Sequence, residues 1–140
     1  MKMLEEKRNN NHRSDGEIVS LDMLVPRFHL LRKIDKAIDW KKIYPIVESK
    51  YSKIGRPSVD PVVLVKMVML QHLYGIRSLR QTVAEIEVNV AYRWFIGYSL
   101  TEKIPHFSTV SYNFLHRFDS DMFEQIFTIV LNEGIDSGYV

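Results

Sequence analysis

Five histidines, 17 carboxylates and 19 lysine or arginine side chains are the groups of this 140-residue chain that could carry chemistry. His12, His29, His72, His106 and His116 form no close i,i+4 pair and no spacing typical of metal ligands. Cysteine is absent, which excludes a thiol nucleophile, a thiolate metal site and a disulfide framework. No G-x-S-x-G, phosphate-binding loop or G-x-G-x-x-G occurs. Glu85 and Glu87 stand two apart on an expected helix, so they point to different faces. No catalytic constellation emerges, and no cofactor or metal is expected in this chain.

Recognition chemistry is better represented. On a helix over residues 109–118, Val110, Phe114, Leu115 and Phe118 gather on one side. Thr109, Tyr112, Asn113 and His116 gather opposite, with Arg117 on the flank and Ser108 as the expected capping residue. The polar side offers donors and acceptors without a carboxylate, the kind of face that meets base edges and phosphates in a major groove. The alternative is a plain surface helix of mixed polarity. Residues 78–97 also read as helix, tight turn, helix, with Arg77, Arg80 and Arg93 spread along them. That suits a helix-turn-helix, in which one helix crosses the DNA backbone and the next enters the groove. Tyr92, Trp94 and Phe95 read as core rather than as base-stacking side chains.

Charge is segregated along the chain. The total is +2, but residues 27–117 carry 15 basic and 7 acidic side chains, net +8, while residues 118–140 carry five acidic and no basic ones. Within residues 27–56 nine basic side chains face three acidic ones: Arg27, Arg32, Lys33, Lys36, Lys41, Lys42, Lys50, Lys53 and Arg56 against Asp35, Asp39 and Glu48. This distribution favours a polyanionic partner over a small neutral substrate, and solvated helix faces are the competing explanation. Phosphate contacts from these residues would add affinity and salt dependence but little sequence preference.

The elements that must position these groups are all helical. Apolar spacing predicts a helix over 27–38, and a second over 40–51 with Asp39 as its cap and Pro45 near its start. The run GRPSVDP at 55–61 marks a turn, and Asp60 followed by Pro61 starts a helix over 61–74 that is apolar on nearly every side. A helix of that kind is buried, so it is expected at the centre, with Gly75 as its stop. Ser78-x-x-Gln81 has the form of a capping box, and a break at 87–89 precedes a short helix over 90–96 closed by Gly97. Asp119 or Ser120 caps the last helix, which ends at Gly134. The expected fold is all-α: a compact bundle of six or seven short helices around a buried central helix, with a helix-turn-helix-like unit. Residues 1–20 lack hydrophobic periodicity and are expected to form a disordered tail. The longest apolar run, 62–70, is interrupted by Lys66 and is far short of the ~20 residues that span a bilayer.

GRPSVDPVVLVKMVMLQHLYGIRSLRQTVAEIEVNVAYRWFIG at 55–97, followed by IPHFSTVSYNFLHRF at 104–118 and preceded by VPRFHLLRKIDKAIDW at 25–40, resembles the N-terminal domain of bacterial insertion-sequence transposases of the InsH type. The resemblance covers about residues 24–140, and the pieces GRPSxDP, YRWFxG and PxxST follow in the family's order. It implies a region that recognises the element's terminal inverted repeats. In the family this region is joined to a C-terminal RNase H-like domain, where two Asp and one Glu use magnesium to cut and join DNA strands. The first catalytic strand would follow Val140, so Asp136 is assigned no catalytic role, and magnesium is expected only for the catalytic domain. The resemblance divides the chain into the tail, a helical DNA-binding domain over 21–118, and a final helix over 119–140 leading to a linker. It implies a bacterial cytoplasmic, nucleoid-associated protein that binds double-stranded DNA without cutting it, and that has no membrane or small-molecule partner. Two other readings stay open: a truncated regulator that inhibits the full-length transposase by pairing with it, and a helical self-association module built on the last helix.

Overall fold

A computed structural model describes residues 1–9, 11–51, 59–136 and 138, and among these every regular element is helical. The α-helices are α1 (Lys2–Asn9), α2 (Leu21–Leu24), α3 (Leu30–Ala37), α4 (Ile43–Tyr51), α5 (Pro61–Leu73), α6 (Leu79–Val88), α7 (Val90–Ile96), α8 (Phe107–Arg117) and α9 (Ser120–Asp136), with a 3₁₀ turn at Trp40–Lys42. None of the described helices is long and apolar enough to cross a membrane. The turn expected at 55–61 falls outside the described residues up to Ser58, as do Lys53 and Arg56.

Asp60 and Pro61 begin α5 for the reasons their types suggest. The Asp60 carboxylate accepts the Val62 N–H at 2.8 Å, and proline at the first position gives up an N–H that would have no helical partner. Eight α5 residues, Pro61 through Met67 and Leu70, are buried. Helices α4, α6 and α7 surround them. Gly75, at φ +59°, takes the left-handed conformation that ends the helix.

Asp60 serves a second helix as well. Its other oxygen accepts the Tyr44 hydroxyl of α4 at 2.9 Å. Burial, then this hydrogen bond, pushes the Tyr44 phenol up to about 12. Asp60→Ala removes the cap and the inter-helix bond together. It is expected to cost about 2 kcal/mol in a thermal or urea melt, and ultraviolet titration should find Tyr44 ionising closer to an ordinary tyrosine.

Other ends form in ways that side-chain periodicity does not reveal. Two helices are capped by histidine: His29 Nδ1 accepts the Leu31 N–H at 3.0 Å at the head of α3, and His106 Nδ1 accepts the Ser108 N–H at 3.1 Å at the head of α8. The α3 helix therefore starts at Leu30 rather than at residue 27, after a turn in which His29 N–H donates to Pro26 O. Ser108, expected as the α8 cap, is instead the second residue of the helix, its hydroxyl 2.7 Å from His106 Nδ1. Ser78 does cap α6, accepting the Gln81 N–H at 3.1 Å, while the Gln81 amide turns to Glu85 instead of closing the capping box. Asp119 starts α9 by accepting the Met122 N–H at 2.9 Å.

The first twenty residues are not uniformly irregular. Helix α1 forms in KMLEEKRN, rich in strong helix formers, with Glu5 in its first turn and Lys7 and Arg8 in its last, the order the helix dipole favours. Its described side chains are exposed. Helix α2 is held against the bundle by Arg32, whose guanidinium donates to Asp22 Oδ1 and to the carbonyls of Asp22, Val25 and Pro26, and lies 4.6 Å from the Trp94 ring centroid. Trp94 Nε1 donates to the same carboxylate at 2.8 Å. These two hydrogen bonds, Trp94's first, hold Asp22 below the usual carboxylate range.

Candidate nucleic-acid interface

The α8 helix is seated by Val110, wholly buried, together with Asn113 at 5%, Arg117 at 6% and Phe118 at 5% exposure. Phe114 stacks on Phe123 of α9, with centroids 5.4 Å apart, and meets Phe118 edge-on at 5.0 Å. The outward face is therefore rotated from the one the wheel suggests. Ser108, Thr109, Tyr112, Leu115 and His116 point to solvent, whereas Asn113 and Arg117, expected outside, are inside. The cause is that α8 packs against both α4 and α6 and also meets α9 through Phe114. Two sides of the helix are thus covered, and Leu115 is left 80% exposed. Asn113 tolerates burial in part because its amide donates to Thr109 O at 2.8 Å, one turn back in its own helix.

What remains on the surface is a compact set. The Tyr112 and His116 rings lie against each other, centroids 4.2 Å apart, one helical turn along the outer face. Thr109 and Ser108 continue that face toward the N-terminus. Arg80 reaches from α6 to the start of α8, its guanidinium 4.2 Å above the Phe107 ring. That stacking fixes a cation beside a helix whose outer face holds no carboxylate, while the guanidinium edge keeps its donors for another acceptor. Arg77, two residues before α6, is exposed.

Arg93 does not join them. It is 8% exposed, and its guanidinium donates to Glu87 O at 3.1 Å, Ser99 O at 2.7 Å and Glu102 O at 2.8 Å. All seven residues of α7 are buried or half-buried. The second helix of the expected helix-turn-helix therefore has no exposed face to lay in a groove, and Tyr92, Trp94 and Phe95 are interior or partly interior, as expected of core. Of the nine expected groove residues, Arg77, Arg80, Ser108, Thr109, Tyr112 and His116 are on the surface and Arg93, Asn113 and Arg117 are not. Sequence reasoning missed two contributors: Leu115, placed in the core by an angle of the wheel, and Phe107, the ring that holds Arg80.

The basic segment is likewise only partly available. Arg27, Lys33, Lys36, Lys41 and Lys50 are exposed. Arg32 is committed to the α2 latch, and Lys42 pairs with Glu133 of α9 at 2.6 Å. Burial raises the Glu133 carboxyl, but the Lys42 ammonium and the Asp39 N–H outweigh it and hold the group below its ordinary value. Among the described residues no three His, Asp or Glu side chains converge in a way that would hold a metal ion.

Residues 19–116 match the family model of a transposase domain, DUF772. No curated protein and no solved structure matches the chain.

Proposed function

Because this chain belongs to the transposase domain family DUF772 and so has a transposase-related role, we propose that it binds duplex DNA and reads the terminal inverted repeats of a mobile element. In this reading the outer face of α8 enters the major groove, which is wide enough to admit a helix. Thr109, Tyr112 and His116 meet base edges, Ser108 meets the backbone near the helix start, and Arg77 and Arg80 contact phosphates. The observation that carries the proposal is the carboxylate-free outer face of α8 with Arg80 stacked on Phe107 beside it. The exposed Arg27, Lys33, Lys36, Lys41 and Lys50 add attraction without sequence preference. No residue described here is assigned to strand cutting. Magnesium-dependent cutting belongs, in this proposal, to a separate catalytic domain.

A gel-shift titration against terminal-repeat and scrambled duplexes tests the assignment. Arg80→Ala is expected to weaken binding to both duplexes alike and to reduce the log–log salt slope by about one. Tyr112→Ala or His116→Ala should instead narrow the gap between the two duplexes, by about 1–3 kcal/mol for a lost base contact. Absence of binding at low salt, or binding indifferent to salt, would overturn the proposal.

A further inference from the structure

On another side of the bundle, α3, α5 and α9 enclose an apolar groove of about 300 Å³. Leu30, Leu73, Phe127 and Leu131 rim it and are each close to half exposed, over a floor that includes Met69 and Val130. His72 is the one polar side chain among its described lining residues, so the groove has almost nothing with which to orient a polar small molecule. A rim of four half-exposed large apolar side chains is the mark of a surface that is covered in use.

We propose that a second copy of this chain covers it, through a two-fold interface that sets α3 of one protomer against α9 of its partner. The argument is charge. Lys33 and Lys36 are exposed on α3, and Lys33 lies one turn beyond Leu30. Glu124 is exposed one turn before Phe127 on α9, a helix without a basic residue. Among the described residues none of these three takes part in an ion pair, unlike Lys42 and Glu133, which already join the 3₁₀ turn to α9 within the chain. Lys33 thus flanks the apolar lining on the α3 side, and Glu124 flanks it on the α9 side. An isologous dimer sets each flank against its opposite, whereas α9 laid on α9 would bring carboxylates together. Any other occupant would need the same two-edged charge pattern, which this chain itself carries.

This inference goes beyond DNA recognition and is tested without DNA, so its failure leaves the α8 proposal standing. Sedimentation velocity of the full chain over a concentration series should show a reversible monomer–dimer equilibrium. Leu131→Glu should abolish the dimer. Lys33→Glu alone or Glu124→Lys alone should weaken it at least tenfold, and the two reversals together should restore it to within a few-fold of the parent. Both charge positions are exposed, so these variants leave the core intact, and circular dichroism confirms the fold. A monomer at every concentration, a dimer untouched by Leu131→Glu, or reversals that fail to rescue one another would each overturn the interface.

Discussion

Replacing Lys66 with alanine is expected to remove about 3 kcal/mol of folding stability, seen as a lower urea midpoint with an unchanged m value. Lys66 is the one charged residue in the middle of α5, and only 9% of it is exposed. Its ammonium donates to Asp35 Oδ1 and to Phe95 O, both at 2.9 Å, and lies 4.5 Å from the Trp40 ring centroid and 5.0 Å from that of Phe95. Trp40 Nε1 donates to the same Asp35 oxygen at 3.0 Å, so one carboxylate binds α5 and the 3₁₀ turn to α3. Removing the lysine leaves a carboxylate and a carbonyl short of a donor and opens a hole between two aromatic rings. Loss of one partner from a buried pair costs about 3–5 kcal/mol. The Asp35 side chain is 34% exposed and water can reach it, which places the effect near the lower end. Against a total of about 5–15 kcal/mol for a domain, this brings the variant close to unfolding. The pair Lys66→Met with Asp35→Asn should recover much of the loss, because it removes both charges and keeps the volume. A double variant no more stable than Lys66→Ala would show that the hydrogen-bonded ion pair itself, rather than the volume of the Lys66 stem, carries the effect.

That network also shows where the sequence stopped being legible. The apolar run over 62–70 correctly marked α5 as the central helix, because burial on all sides leaves only one kind of residue at most positions. Lys66 interrupted the run and could be read only as an interruption. Its partners are 31 and 29 positions away, and no local pattern encodes them. Caps followed the same division. Asp39, Asp60-Pro61 and Ser78 sit beside the groups they satisfy, and local chemistry was enough to find them. The two histidine caps use the same geometry with an uncommon residue type, so a search for serine or aspartate passed over them. The α8 face marks the other limit. A wheel gives the angular order of side chains but not the direction of the core, which depends on where α4, α6 and α9 lie. Turning the helix toward Val110 buries Asn113 and Arg117 and exposes Leu115 without altering the hydrophobic count.

Arg93 separates a structural role from a DNA-contacting one, and Arg93→Ala is expected to lose about 3 kcal/mol of stability while the folded protein keeps the parent's affinity and salt slope for duplex DNA. Its guanidinium holds Glu87 O, a carbonyl in the last turn of α6, and at the same time Ser99 O and Glu102 O in the loop that follows α7. Carbonyls at a helix end have no partner within the helix, and a cation there also meets the negative end of the dipole. Hydrogen bonds to a charged donor contribute about 1.5–3 kcal/mol each. The sum is not additive, because water can reach the loop carbonyls once the side chain is gone. Arg93→Lys should recover only part of the loss, since a single ammonium cannot span the end of α6 and the loop as a planar fork does. The same loop contains the Glu102 N–H, which donates to Ser99 O, so loosening it should also raise hydrogen exchange at Glu102. If Arg93→Ala instead left the melt unchanged and lowered the salt slope by about one, the side chain would be meeting phosphate, and the interior placement that withdraws α7 from the DNA face would be wrong.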